Sequence, residues 1–223
     1  MRIGLLSVSG CMVWLCAAPA SAERVSVAHF ETAAARQKTP EWCWAACAQM
    51  ALRSGGADVS QETIVAAIKG RLTAETASST DLTRALNASG LSKDGAMWTA
   101  RAIACKGAPV PGTLVEQLRQ NKPVIISYPT GPFASHSVVA HEAYYQPTPA
   151  GPIITGITIF DPYSGWHFRV AGQLVPFETL NTWYISVQRN RPAQEETRKY
   201  SESSHRHQKT ENFLTRRASQ QQK

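Results

Sequence analysis

Apolar side chains at Trp44, Cys47, Ala48, Ala51 and Leu52 recur at the i, i+3, i+4, i+7, i+8 spacing of a helix with one buried stripe. The spacing predicts a helix over residues 43–54, with Pro40 just before it and Gly55-Gly56 ending it. Asp58-Val-Ser-Gln61 resembles a capping box opening a second helix, which Gly70 closes. Ser79-Thr-Asp81 begins a third, ended by Gly90, and residues 112–121 read as a short fourth before Lys122-Pro123. From there the period changes. Val124–Tyr128, Ser137–Tyr145, Ile153–Phe160 and Thr182–Val187 are β-branched and aromatic runs bounded by Pro, Gly and Asp, which predicts strands. Helices first and strands second imply an α+β fold with an antiparallel sheet. A cleft between the N-terminal helical half and the C-terminal sheet is the natural place for a substrate.

The first 22 residues do not fit that pattern. Arg2 followed by the largely apolar run Ile3 to Ala18 and by Ala20-Ser-Ala22 reads as a secretory signal cleaved before Glu23. Val8-Ser-Gly-Cys11 offers a lipoprotein cleavage box instead, but the apolar stretch before Cys11 is brief. No later run is long enough to span a membrane. The chain is expected to be secreted or periplasmic.

Charge separates a tail from a body. From Arg189 to Lys223 there are nine Lys/Arg and four Asp/Glu, whereas residues 23–188 hold thirteen and twelve. Residues 189–223 are rich in Gln, Ser, Arg and Glu and too poor in apolar side chains to offset their ordering entropy. The expected organisation is a signal over 1–22, one domain over 23–188 and a basic tail over 189–223. No aromatic interleaving accompanies the basic charge, so no nucleic-acid partner is expected. His205 and His207 in the tail are weak grounds for a metal site.

With the signal removed, Cys43, Cys47 and Cys105 remain. Three is odd, so in an oxidising compartment at least one is free or intermolecular. Cys43 is taken as the free one, and a Cys47–Cys105 disulfide is possible. Cys47 lies on the apolar stripe and reads as a buried thiol. A zinc site from Cys43, Cys47, Cys105 and a histidine lacks the spacing of a finger or ribbon, and no metal is expected.

Cys43 is set apart by its position at the first turn of the first helix, where unpaired N–H groups and the helix dipole favour thiolate over thiol. Gln37, six residues upstream, can aim its side-chain amide beside the Cys43 backbone N–H, where a tetrahedral oxyanion would form. A thiolate nucleophile needs a base, and the base an orienting partner. His136 follows the loop Thr130–Ser135 and opens a strand, and Asp161 ends the next strong strand, held out of helical geometry by Pro162. Adjacent antiparallel strands would set the carboxylate beside the imidazole. His141 competes with His136, but five residues along a strand places it on the opposite face. Asp161-Pro-x-x-Gly165 is also good turn chemistry without catalysis. His29 and His167 have no companion motif, and Trp42, Trp98, Trp166 and Trp183 read as core or cleft-wall aromatics.

The order Gln, Cys, His, Asn/Asp resembles that of papain-like cysteine proteases. Gln37 and Cys43 match that family's spacing, and Cys43-Trp44-Ala45 its Cys-Trp-Ala. His136-Ser-Val-Val is similar to its His-Ala-Val strand, and Asp161-Pro-Tyr-Ser-Gly165 to the Asp-Pro-Trp-Pro-Gly turn of compact bacterial members, effector-type and leader-peptidase-like. The resemblance spans residues 37 to about 187. It implies a papain-like fold and a cysteine endopeptidase acting on peptide or protein substrates without metal or organic cofactor. In that reading Cys43 is the nucleophile, His136 the acid/base, Asp161 its orienting partner and Gln37 an oxyanion donor. It also implies that Tyr163 shields the His136–Asp161 contact, with Trp44 and Tyr163 as possible cleft-wall aromatics. Glu142 stands where these proteins usually carry glycine, and only about fourteen residues separate the signal from Gln37, so inhibition by an N-terminal prodomain is not expected. Two other readings stay open: a deamidase or transglutaminase using the same thioester, and a catalytically silent papain-fold binding protein.

Overall fold

The computed structural model describes residues 21–131, 134–170 and 181–190. Most of the expected signal and residues 191–223 of the expected tail lie outside the described residues. So do the possible lipoprotein box and the histidine pair of the tail.

The chain opens with strand β1 (Glu23–Ser26) and the helices α1 (Phe30–Ala33), α2 (Cys43–Ser54), α3 (Gln61–Lys69) and α4 (Ser79–Ala85). Strands β2 (Ser89–Leu91) and β3 (Met97–Lys106) precede helix α5 (Pro111–Arg119). Then come β4 (Val124–Gly131), β5 (Ala134–Gln146), β6 (Ile153–Asp161), β7 (Gly165–Val170) and β8 (Asn181–Asn190). One antiparallel sheet runs β2-β3-β8-β4-β5-β6-β7, and β1 pairs with β5 beyond the end of β4. The α+β class is as expected. The division into halves is less clean, because three strands precede α5.

Helix α2 is the spine of the core. Every residue from Cys43 to Leu52 is buried, including the polar Gln49. The helix lies against β5 and β4, where Val124, Ile125, Ile126, Val138, Val139 and Ala140 are fully buried. Its C-terminus crosses β8 at Gly55, where a Cβ would stand 2.3 Å from the Val187 Cβ, so no larger residue fits without displacing the strand.

Local chemistry shifts several expected boundaries. Ser60, and not Asp58, caps α3, accepting from Thr63 N–H, and Gly70 ends the helix at φ 74°. Asp58 instead pairs with Arg53 and Lys93. Helix α4 carries a true capping box between Ser78 and Asp81 but stops at Ala85, short of Gly90. Gly90 belongs to β2, paired with Trp98, and a Cβ there would lie 3.3 Å from that indole. Arg189 and Asn190, assigned to the tail by charge, are the last residues of β8 and pair with Trp98 and Met97. Among the described residues, no helix is long and apolar enough to cross a membrane.

Candidate active site

The start of one helix and the ends of two strands converge. Cys43 is the first residue of α2, 7 % exposed, and no side chain caps that helix end. The first N–H groups of the helix therefore point toward the sulfur's surroundings, and the first turn carries no acidic residue. Pro40 and the bond from Trp42 N–H to Thr39 O turn the chain into the helix. Trp42 and Trp44 then anchor the following loop by donating their indole N–H groups to Thr73 O and Glu75 O, at 2.9 and 3.3 Å.

His136 lies on β5 opposite Tyr128 of β4, with the two rings edge-on at 5.7 Å between centroids. Its Nε2 meets Asp161 Oδ1, at the end of β6, at 2.8 Å. That commitment leaves Nδ1 for the sulfur. Burial alone would lower the imidazole's pKa, but hydrogen bonds to Cys43 and Asp161, with the charges of both, raise it above its ordinary value. Burial alone would likewise raise the Asp161 carboxyl. The Tyr163 N–H at 2.7 Å, His136 and Ser164 outweigh that and hold it below the usual carboxylate range. The imidazole and carboxylate therefore favour the charged pair that a thiolate nucleophile requires.

The turn after Asp161 is fastened to the segment leading to Cys43. Gln37 N–H donates to Pro162 O at 3.0 Å, and Arg36 Nη1 donates to Tyr163 O. Gly165 allows this approach: its φ is 104°, and a Cβ there would come within 3.0 Å of Arg36 Nη2. Residues far apart in the chain are so drawn into one constellation: Gln37, Cys43, His136 and Asp161.

Other expected positions differ. The Gln37 amide is not aimed at the oxyanion position in this state. Its Nε2 donates to Thr39 O (2.9 Å) and Pro40 O (2.7 Å), while its Oε1 is buried without a hydrogen-bond partner among the described residues. Tyr163 is 72 % exposed, so its ring buries little surface over the His136–Asp161 contact. What it contributes is its backbone N–H. The aromatic against His136 is Tyr128, which sequence reading missed; the signal available was its place at the end of the strand that pairs with the His136 strand. Trp44 is buried in the core and also walls a cavity of about 110 Å³, together with Tyr128, Ser127, Ser137, Asn181 and Trp183.

The Cys47–Cys105 disulfide is not formed: all three cysteines among the described residues are free. Cys47 sits fully buried on α2, where burial, then the charges of Cys43 and Asp161, push its thiol well up, while Cys105 is on β3 opposite Thr182. His141 falls at a β-bulge between Ala140 and Glu142, so the strict alternation used to separate it from His136 breaks there. It stacks on Phe30 instead of joining the site. Trp42, Trp98 and Trp183 are core residues, Trp166 is half exposed, and His29 is a surface residue. No cluster of metal-ligating side chains occurs among the described residues.

A family model described as "Peptidase_C39 like family" matches residues 30–191. No curated protein sequence matches the chain. Among solved structures, the peptidase domain of Streptococcus ComA, a bi-functional ABC transporter involved in a quorum sensing pathway, is similar at 15 % identity and a TM-score of 0.41, over 69 % of this chain and 95 % of that one. UfSP from C. elegans is similar at 12 % identity and a TM-score of 0.43, over 80 % of this chain and 36 % of that one.

Proposed function

The chain belongs to the Peptidase_C39 like family, and from that premise we propose that it is a papain-like cysteine peptidase that cleaves peptide bonds through a thioester on Cys43. The observation that carries this reading is the link from Asp161 through His136 to Cys43 at an uncapped helix start. Cys43 thiolate attacks the peptide carbonyl carbon. The oxyanion is met by the Cys43 backbone N–H and by the Gln37 amide once that side chain turns from Thr39 and Pro40. Protonated His136 delivers its proton to the departing amine as the C–N bond breaks, leaving a thioester. Neutral His136 then takes a proton from water, whose oxygen displaces the sulfur to give the carboxylic product and free Cys43. Asp161 holds the imidazole orientation and its positive charge throughout.

The cavity walled by Trp44, Tyr128 and Trp183 supports a substrate subsite. Its lining carries hydroxyl and amide groups and, among the described residues, no charged side chain, which suits a small or medium uncharged substrate side chain. The amino-terminal sequence supports placement outside the cytoplasm, secreted or periplasmic, with a mature chain starting at Glu23; amino-terminal sequencing of exported protein tests this. The residues past Asn190 are read as a basic appendage on a single peptidase domain.

The decisive experiment incubates wild type and Cys43→Ala with a denatured protein under mild reductant and follows fragments by mass spectrometry. Wild type yields fragments and Cys43→Ala none. Equal cleavage by both would overturn the proposal. Deamidated or cross-linked products without chain cleavage would reassign the thioester to another acyl transfer, and binding without any product would favour the catalytically silent alternative.

A further inference from the structure

Gln61 is only 1 % exposed, and the chemistry above gives it no task. It is the first residue of α3. Its Oε1 accepts from Lys38 N–H at 3.0 Å, and its Nε2 donates to Arg36 O at 2.8 Å and to Gln49 Oε1 at 3.0 Å. One buried side chain so grips the backbone on both sides of Gln37. Gln49, on α2 and 5 % exposed, completes the relay by donating its Nε2 to Val59 O at 2.9 Å. The two amides connect the helix that starts at Cys43 to the segment that bears Gln37.

A buried amide must be hydrogen-bonded to be tolerated, and both Nε2 hydrogens of Gln61 are spent. The Gln37 main chain is therefore fixed on three counts: by Gln61 before it, by Gln61 after it, and by its own N–H on Pro162 O. Its side chain is held differently. Two carbonyls of its own turn take the Nε2 hydrogens, and Oε1 is buried without a partner. Main chain locked and side chain only locally tethered is the arrangement that lets an amide swing onto an oxyanion without shifting its Cα.

We infer that Gln61, supported by Gln49, is a positioning residue that holds Gln37 in register with Cys43 for oxyanion stabilisation. The inference rests on the peptidase reading above. Removing one oxyanion donor commonly costs about 10²–10³-fold in kcat, and a misplaced donor less. Gln61→Met is expected to lower kcat about 10–100-fold with KM within about threefold. Because the effect runs through Gln37, Gln61→Met added to Gln37→Ala lowers kcat no further than Gln37→Ala alone. Alkylation of Cys43 by iodoacetamide forms no oxyanion, so its rate is unchanged in Gln61→Met. Gln61→Glu provides a variant that keeps the acceptor for Lys38 N–H. Its kcat relative to wild type recovers as pH falls, since a protonated carboxyl can again donate to Arg36 O.

Wild-type kcat in Gln61→Met, full additivity with Gln37→Ala, or an equal fall in alkylation rate would each overturn the positioning role while leaving the peptidase reading intact. Indistinguishable turnover by wild type and Cys43→Ala would instead sink the peptidase reading, and this inference with it.

Discussion

Strand β5 carries two histidines in opposite electrostatic states. His136, near its start, is half buried and has a pKa above the ordinary 6.5. His141, at the bulge, is also half buried, yet burial takes its pKa down to about 4 in spite of Glu142 and Glu31. The difference is partners. His136 has a carboxylate at 2.8 Å and a cysteine on its other side. His141 stacks on Phe30 at 4.7 Å and makes a T-shaped contact with Trp166 at 4.9 Å, with no hydrogen bond at Nε2 among the described residues. Burial sets a cost for charge in both places, and only one place has what offsets it. In the proposed mechanism one ring transfers protons, while the other serves as an aromatic plate.

The comparison is broken most forcefully by removing each ring. His136→Ala is expected to reduce peptide cleavage on the order of 10³-fold, whereas His141→Phe, which preserves stacking, leaves it within about twofold. Comparable losses in both would erase the distinction. Next, Asp161→Asn removes the charge while leaving an acceptor for Tyr163 N–H. Turnover falls on the order of 10–10²-fold, and the alkaline limb of the pH–rate profile moves to lower pH because His136 loses its anionic partner. Iodoacetamide modifies Cys43 more slowly in Asp161→Asn than in the wild type, because the imidazolium beside the sulfur is weakened.

Stability sharpens the contrast further. The His141 contribution is intact above 6.5, the unfolded-chain value, and is lost as pH falls from there toward about 4, because the unfolded chain takes up the proton first. The His136 contribution is fully present below 6.5 and lost as pH rises through its raised folded value. Urea midpoints measured across pH therefore change less on the acid side in His141→Phe and less on the alkaline side in His136→Ala. The smallest effect belongs to Tyr128→Phe: the aromatic ring against His136 is kept, so cleavage stays within about twofold.

The elements with strong periodicity were legible in the sequence. The span of α2 is the one expected, since its apolar stripe, its preceding proline and its terminal glycines agree. The expected strand runs all lie within β4, β5, β6 and β8. Strand β3 was hidden because Met97-Trp-Thr-Ala-Arg-Ala-Ile-Ala is rich in alanine and alternates weakly, and its place is set by ladder bonds to β8 along its whole length. β1, β2 and β7 are short edge strands whose pairing is tertiary. At the candidate site, the residue types and their order could be read, and so could the approach of His136 to Asp161. Three features could not. The Gln37 side-chain orientation depends on two carbonyls of its own turn. The exposure of Tyr163 depends on which way the turn after Asp161 faces. The Gln49–Gln61 relay joins residues with no motif in common.

The clasp between Arg36 and Tyr163 O joins residues 127 positions apart. During synthesis, a polypeptide that has emerged only as far as α5 already contains the sulfur but neither the imidazole nor the turn that the clasp holds. Under the proposed mechanism such a nascent chain has no competent nucleophile, because the proposed base arrives with β5 and its orientation with β6. Chemical latency in the growing polypeptide so follows from connectivity alone. It ends when the last third of the domain docks onto the first.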